Sequence, residues 1–182
     1  MTQLIVLGMI QMKPMSGYDI QVSLQELNAE MWSGVQVGSI YHALKKLEKD
    51  GYIKIDSISK TGLRQKATYR ITEKGDAYLK ELIIGELTKS SAKFPTDFYS
   101  AVTFIDNIPK IEIQTALKNQ LEELKGELNK LNEGLAEKNK AFNGSLPLIT
   151  VITFRNMFEI IQLQIKYAEE LLSLTEDEKR DM

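Results

Sequence analysis

The chain has 182 residues, of which 43% are hydrophobic and 26% charged, and its formal net charge is −2. This composition is typical of a soluble globular protein of one domain or two small ones, and it excludes a disordered chain. The absence of cysteine excludes disulfides and thiolate sites, and a single histidine argues against a metal site built from several imidazoles. We find neither an apolar window near the roughly 20 residues of a membrane span nor a signal peptide, and we expect a cytoplasmic protein.

The charge is unevenly distributed along the chain. Residues 1–90 carry twelve Lys/Arg against ten Asp/Glu, whereas residues 91–182 carry eleven against fifteen. Within residues 36–70, eight basic side chains accompany only three acidic ones. Such a cluster is often just a solvated surface, but it is also what a polyanion such as DNA requires.

Two helices are predicted before residue 30. The first covers about 3–11 and ends before Pro14, because the residue that precedes a proline is pushed out of the helical region. Ser16, with Asp19 three positions later, predicts the capped start of a second helix that reaches about Ala29. Trp32, in the connection that follows, is expected to pack under the next helix, although stacking on a ligand is an alternative.

The third predicted helix, over 37–51, has one apolar side and one basic side. Ile40, Leu44 and Leu47 recur at i, i+4 and i+7 and form a stripe that should enter the core. The remaining side chains point elsewhere, and they include Tyr41, His42, Lys45, Lys46 and Lys49. Gly51 is expected to end the helix, since glycine adopts the left-handed conformation at little cost.

A hairpin and a fourth helix complete this half. Over 52–58, Ile53 and Ile55 alternate with polar residues, as in a half-buried strand. Residues 59–62 supply turn residues, and a second alternating run covers 63–71. Thr72 is expected to cap a fourth helix that continues to about Pro95. Helix, helix, helix and hairpin in this order predict a winged helix-turn-helix.

The second half contains helical patterns only. A short helix is expected over 97–105, and Pro109 should open a long helix with a heptad seam. The seam consists of leucines spaced four and three residues apart: Leu117, Leu121, Leu124, Leu128, Leu131 and Leu135. Asn143 and Gly144 should break this helix, and a last helix should follow with apolar residues on two sides. One side carries Val151, Phe154, Phe158, Ile161, Ile165, Ala168 and Leu172, and the other Ile149, Met157, Ile160, Leu163, Tyr167 and Leu171.

A helix that is apolar on two sides needs two partners. One is expected to be the leucine helix, folded back as an antiparallel hairpin, and the other the same helix pair of a second chain. We assign dimerisation to Leu121, Leu124, Leu128, Val151, Phe154, Phe158, Ile161 and Ile165. The alternative is a monomeric bundle that the fourth helix closes.

Several segments match one known family in order and in spacing. They are LGMI near the start, PMSGYDI at 14–20, GSIYHALKKLEKDGYI at 38–53 and YRITEKG at 69–75. On these segments the amino-terminal half resembles the PadR family of winged-helix transcriptional regulators. The resemblance implies a mostly α fold with a small β-hairpin wing, in which residues 1–90 bind DNA and residues 91–182 form a helical dimerisation domain. It also implies a homodimer, usually a repressor, that binds an inverted repeat of double-stranded DNA. Some members of the family respond to phenolic acids, others to unrelated hydrophobic compounds or to no known ligand.

A recognition helix reads bases with its first two turns, and phosphate contacts set its register. Gln36, Ser39 and His42 are therefore the candidates for groove contacts; the family usually has a proline where this chain has His42. The candidates for phosphate contacts are Tyr18, Tyr41, Lys45 and Lys46, together with Lys60, Arg64 and Lys66 of the wing. Tyr18 and Tyr41 have the alternative of simple packing, and His42 that of an ordinary surface position.

No catalytic motif occurs in the sequence, so we expect no enzyme, no cofactor and no metal. A winged helix that serves only as a protein–protein adaptor is the competing interpretation, and the local excess of basic residues favours DNA over it. A small hydrophobic effector, if one binds, would be expected near Phe94, Phe98, Tyr99 and Phe104, whose alternative is ordinary core packing.

Overall fold

Helices make up most of the molecule, and one antiparallel β-hairpin lies between the third and the fourth. The computed structural model describes residues 1–26, 34–61 and 64–176. In these, the chain forms α1 (Thr2–Met12), α2 (Gly17–Glu26), α3 (Val37–Lys49), β1 (Ile53–Thr61), β2 (Arg64–Ile71), α4 (Glu73–Leu87), α5 (Thr96–Thr103), a 3-10 turn (Ile105–Asn107), α6 (Lys110–Ala141) and α7 (Leu148–Glu176). This order confirms the predicted mostly α fold with a hairpin wing. The chain divides into two compact units, Met1–Ala92 and Lys93–Met182.

The core of the first unit is built from aliphatic side chains of α1, α2, α3, β1 and α4. Its largest fully buried side chains are Val6, Leu7, Ile10, Ile20, Ile40, Leu47, Ile53 and Leu79. The predicted stripe of α3 is confirmed, because Ile40, Leu44 and Leu47 are all buried there. Each such side chain contributes about 1.5–3 kcal/mol when it leaves water. The core therefore holds α3 with its opposite side turned to solvent.

Local capping signals begin α2 and α4 where the sequence predicts them. The backbone N–H of Asp19 donates to Ser16 Oγ over 3.2 Å, and Asp19 Oδ2 accepts from the Ser16 N–H and hydroxyl. Thr72 Oγ1 accepts from the Gly75 N–H at 3.0 Å. Gly51 follows α3 with a φ of +76°, which confirms its predicted role at the end of that helix.

The hairpin differs from the prediction in two places. β1 continues to Thr61, which pairs with Arg64, so the expected turn at 59–62 is wrong for its first three residues. The connection falls at 62–63, outside the described residues. An irregularity between Ile55 and Ser57 shifts the register. Ile55 is exposed, where the alternation predicts a half-buried side chain.

Helix ends account for the other differences in the first unit. α4 ends at Leu87, not at Pro95, and its last turn is largely exposed, with Ile84 at 62% and Leu87 at 80%. The predicted end of α2 at Ala29 and the predicted packing of Trp32 lie outside the described residues.

In the second unit α6 and α7 form an antiparallel helical hairpin. Gln114 Nε2, near the start of α6, donates to the Thr175 carbonyl near the end of α7 at 3.2 Å. The predicted leucine seam is confirmed, with Leu117, Leu121 and Leu131 buried and the other three leucines half-buried. Asn143 and Gly144, with φ of 51° and 82°, lie in the connection between the two helices and interrupt the helical backbone there, as predicted. Pro109 is the residue before α6 and not its first helical residue.

One expectation about membranes needs correction. By length and composition alone, α7 is a helix that could cross a membrane, the one such helix in the described part of the chain. A single helix of this kind is weak evidence, because long helices of soluble bundles pass the same test. In α7 one row of apolar side chains, which includes Phe154 and Ile161, packs on α6.

Candidate nucleic-acid interface

The side of α3 opposite the core carries the strongest candidate for a DNA contact. Gly38, His42, Lys45 and Lys49 follow one another at i, i+4, i+7 and i+11, and all four are exposed. Exposed Tyr41 and Lys46 lie on the two flanks of this row. Gly38 and Lys49 are missing from the predicted set, although their helical spacing from His42 and Lys45 was a usable signal.

Around the first turn of α3, one polar side chain is hydrogen-bonded within the protein and two others face solvent. Gln36, the residue before the helix, is exposed in an extended conformation. The Ser39 hydroxyl donates to the Gln36 carbonyl at 2.6 Å and lies 3.2 Å from Thr2 Oγ1 of α1. Ser39 therefore anchors the start of the helix to α1, whereas Gln36 and His42 extend into solvent. Base contact by any of the three stays a prediction.

Tyr41 lies across the start of α2. A Cβ added to Gly17 would stand 2.7 Å from Tyr41 Cε1, so the glycine makes room for the ring. Although Tyr41 packs there, it is still 48% exposed. The ring therefore packs against Gly17, as the alternative for Tyr41 predicted, and its contact with phosphate stays a prediction.

Tyr18 and Asp19 connect this surface to the wing. Lys66 Nζ of β2 lies 2.7 Å from Asp19 Oδ1 and 5.7 Å from the centre of the exposed Tyr18 ring. The hydrogen bond from Lys66, helped by those from Ser16, lowers the pKa of Asp19 to about 2. Lys66, predicted as a phosphate contact, thus already has an anionic partner in its own chain. No local sequence pattern predicts the Asp19–Lys66 pair, because the two residues are 47 positions apart in the chain.

The hairpin base is a further basic surface. Lys54 and Arg70 are paired across the strands, and both are exposed. Arg70 reaches Asp56 at 3.3 Å, and Lys74 donates to the Asp50 carbonyl at 2.7 Å. The side chains of Lys60 and Arg64, near the tip, lie outside the described part of the structure.

The residues predicted for dimerisation lie along the α6–α7 hairpin. Phe154 and Ile161 form a buried cluster with Leu131, and Leu124, Leu128, Phe158 and Ile165 pack around it within the same chain. Leu121 is buried as well, while Val151 is 44% exposed. The opposite side of α7 carries exposed aliphatic side chains, namely Ile149, Ile152, Ile160, Leu163 and Leu174.

The aromatic residues considered for an effector belong to the second unit. The rings of Phe98 and Tyr99 meet Tyr167 of α7 edge to face, with centroids 5.8 and 5.9 Å apart. The ring centroids of Phe94 and Tyr99 are 6.3 Å apart, and Phe104 is 67% exposed. A separate open groove of about 630 Å³ lies beside the turn between α6 and α7, with Leu135, Phe154 and Phe158 on its apolar wall and Arg155 at its edge.

Comparison with known proteins finds similarity to one family of regulators. Residues 6–81 match the model of the transcriptional regulator PadR-like family. The negative transcriptional regulator PadR of Bacillus subtilis (strain 168) is 28% identical over 134 residues, which are 73% of this chain and 71% of that protein. Over these residues the chain is similar to the PadR-like family. Because this is a family of transcriptional regulators, the prediction that the chain is not an enzyme is confirmed.

Solved structures match almost the whole chain. Bacillus subtilis PadR in complex with operator DNA has a TM-score of 0.73 at 22% identity and covers 95% of this chain and 98% of its own. The same protein in complex with p-coumaric acid has a TM-score of 0.73 at 21% identity and covers 96% of this chain and 98% of its own. The protein smu.1604c of Streptococcus mutans UA159 has a TM-score of 0.72 at 27% identity and covers 94% of this chain and 98% of its own. The PadR-like fold therefore includes the helical second unit.

Proposed function

We propose that this PadR-like regulator is a cytoplasmic homodimeric repressor that binds an inverted-repeat operator near its own gene. The observation that carries the proposal is α3, whose apolar stripe is fixed in the core while a row of glycine, histidine and lysines faces solvent. An α-helix so mounted fits the major groove of B-DNA. Support also comes from Bacillus subtilis PadR, a negative regulator whose structure contains operator DNA.

In this proposal, residues 1–90 are the DNA-binding domain and residues 91–182 the dimerisation domain. Gln36, Ser39 and His42 contact bases, while Tyr18, Tyr41, Lys45, Lys46, Lys60 and Arg64 contact the phosphate backbone. Lys66, also predicted from the sequence as a phosphate contact, is paired with Asp19 instead. Two copies are needed because one recognition helix reads too few base pairs to select a site in a genome. The second copy packs on the exposed apolar row of α7, which water would otherwise solvate.

A small hydrophobic effector that releases the DNA belongs to the same proposal. The p-coumaric acid complex of Bacillus subtilis PadR supports this class of ligand. Phe98 and Tyr99 of α5, with Tyr167, offer aromatic surfaces for a phenolic ring. In an electrophoretic shift with operator DNA, an effector of this class should dissociate the complex in a saturable way.

The DNA-binding proposal is tested by an electrophoretic shift with the intergenic DNA beside the gene at several salt concentrations. The Lys46→Ala/Arg64→Ala variant should bind more weakly, and its log–log salt slope should fall by about one for each lost phosphate contact. The matched control is Lys118→Ala/Lys130→Ala, which removes the same charge from exposed positions of α6. Unchanged binding of the first variant would contradict the proposed docking.

A further inference from the structure

Two connections join the wing to α2 and to the residue stretch just before it. Nearer the base, Met15 and Tyr69 exchange two backbone hydrogen bonds, Met15 N to Tyr69 O at 3.1 Å and Tyr69 N to Met15 O at 2.9 Å. Three residues further towards the tip, roughly 10 Å along the strand, Lys66 Nζ meets Asp19 Oδ1 at 2.7 Å. Beyond Lys66, β2 pairs with β1 up to Thr61 and Arg64. The Asp19–Lys66 pair is therefore the outermost described connection between the wing and the helices.

The negative charge of Asp19 is not needed for its capping role. Ser16 Oγ accepts from the Asp19 N–H, and an amide oxygen at position 19 would accept from the Ser16 N–H as the carboxylate does. The ion pair with Lys66, by contrast, requires the charge. Asp19 also lies next to Tyr18, on the surface proposed to contact DNA, where a carboxylate repels phosphates. The Asp19 carboxylate should therefore weaken DNA binding at this position. Its presence there is explained if its role is to pair with Lys66 of the wing.

We propose that Asp19 and Lys66 are positioning residues that hold the wing and the Tyr18 ring in the geometry of the operator complex, and that Asp19 withholds Lys66 from phosphates. This rests on the proposed function. Lys66 Nζ, at 5.7 Å from the Tyr18 ring centre, also limits where that ring can lie. The pair lowers affinity for DNA of any sequence while it favours the one arrangement in which wing and α3 bind together. Asp19 thus raises the ratio of specific to non-specific binding.

The test compares salt slopes on operator DNA and on an unrelated fragment of equal length. Lys66→Met should weaken operator binding and leave both slopes as in the wild type, because Lys66 contributes no phosphate contact. Asp19→Asn should free Lys66, tighten binding to the unrelated fragment and steepen its slope by about 0.9, the value for one phosphate contact. The double variant should return to the wild-type slope, and Lys66→Arg, which keeps the ion pair, should behave as the wild type.

A matched control separates this pair from a general effect of charge. Asp76 of α4 forms an ion pair with Lys80 at 2.8 Å and accepts from Gln11 of α1, so Asp76→Asn removes the same charge away from the contact between α2 and the wing. Its slopes should equal those of the wild type. If it steepened the slope as much as Asp19→Asn does, the positioning role would be refuted.

Failure of this inference and failure of the proposed function give different results. If the wild type prefers operator DNA but Lys66→Met lowers its slope by about one unit, Lys66 contacts a phosphate and the inference alone is overturned. An Asp19→Asn variant with wild-type slopes and a wild-type specificity ratio would overturn it as well. A wild-type chain that shifts neither fragment would overturn the proposed function, and the inference with it.

Discussion

At Gly17, the absence of a side chain gives space to the Tyr41 ring. A Cβ there would lie 2.7 Å from Tyr41 Cε1 and 3.0 Å from Leu44 Cδ1. Because Tyr41 is half exposed, its ring can move aside, so we expect Gly17→Ala to change the free energy of unfolding by no more than about 1 kcal/mol. The displaced phenol should nevertheless reduce operator affinity about fivefold, which corresponds to roughly one lost hydrogen bond.

Urea unfolding and a quantitative shift assay measure the two effects of Gly17→Ala separately. Gly8→Ala in α1 is the control, since a Cβ at Gly8 has nothing within 4 Å. An equal loss of affinity in both variants would contradict the assignment of Tyr41 to the DNA-binding surface.

Asp19 gives the first unit a predictable dependence of stability on pH. Its pKa, about 2 in the folded protein against an ordinary value of 3.8, is lowered chiefly by the hydrogen bond from Lys66. A group with a lowered folded pKa stabilises the fold while it is ionised. Its contribution is complete above about pH 4 and disappears as the pH falls towards 2.

In Asp19→Asn the free energy of unfolding should therefore fall less between pH 4.5 and pH 2 than in the wild type. Urea titrations at several pH values in this range measure the difference. Parallel curves for the two proteins would mean that Asp19 has the same pKa in the folded and the unfolded chain.

At the scale of elements, the start of α4 is docked through a glycine. A Cβ on Gly75 would overlap the backbone carbonyl oxygen of Tyr52, which also accepts a hydrogen bond from the Thr72 N–H at 3.0 Å. Because a backbone atom cannot move aside as a side chain can, we expect Gly75→Ala to destabilise the fold by about 3 kcal/mol, near the upper end of the usual cost of overpacking.

Gly85, in the same helix, should respond in the opposite direction. A Cβ there has nothing within 4 Å, so Gly85→Ala should stabilise the fold by about 0.5–1 kcal/mol through helix propensity. The two variants differ only in the surroundings of the added methyl group, and chemical denaturation measures both. Similar values for the two would contradict the proposed docking of α4.

The elements that could be predicted are those whose signals are local in sequence. Ser16 and Thr72 begin their helices as predicted, and the stripe of α3 is buried, because caps and helical periodicity act within a few residues. The hairpin turn was misplaced, because register depends on how β1 and β2 pair. The Asp19–Lys66 pair could not be found from the sequence, because only the fold brings α2 and β2 together.

At the scale of the molecule, α7 presents an unpaired apolar row. Leu163 is 63% exposed and lies opposite the row that packs on α6. Leu163→Lys should convert the proposed dimer to a monomer in sedimentation, because a lysine in the centre of an apolar interface is left without a partner. Gln162→Lys, one residue away and also exposed, should leave the dimer intact. A wild-type chain that sediments as a monomer at micromolar concentration would contradict this proposal.

The sequence indicated the two apolar sides of α7, but it could not assign each side to its partner. Phe154, Phe158 and Ile161, predicted for dimerisation, pack in the α6–α7 cluster of a single chain. Heptad spacing shows which residues share a side of a helix, and it does not distinguish a partner in the same chain from one in another. The row with Ile160 and Leu163 is the exposed one, because α6 covers the other side.

The central claim is that two copies of α3 read an inverted repeat, and DNase footprinting of the intergenic DNA tests it most directly. The wild-type protein should protect two half-sites related by a two-fold axis, with centres about one helical turn or a multiple of it apart. His42→Ala, on the outward row of α3, should alter the preferred half-site sequence while keeping their spacing. Protection of a single unpaired site, or none at concentrations where the protein is dimeric, would contradict the account.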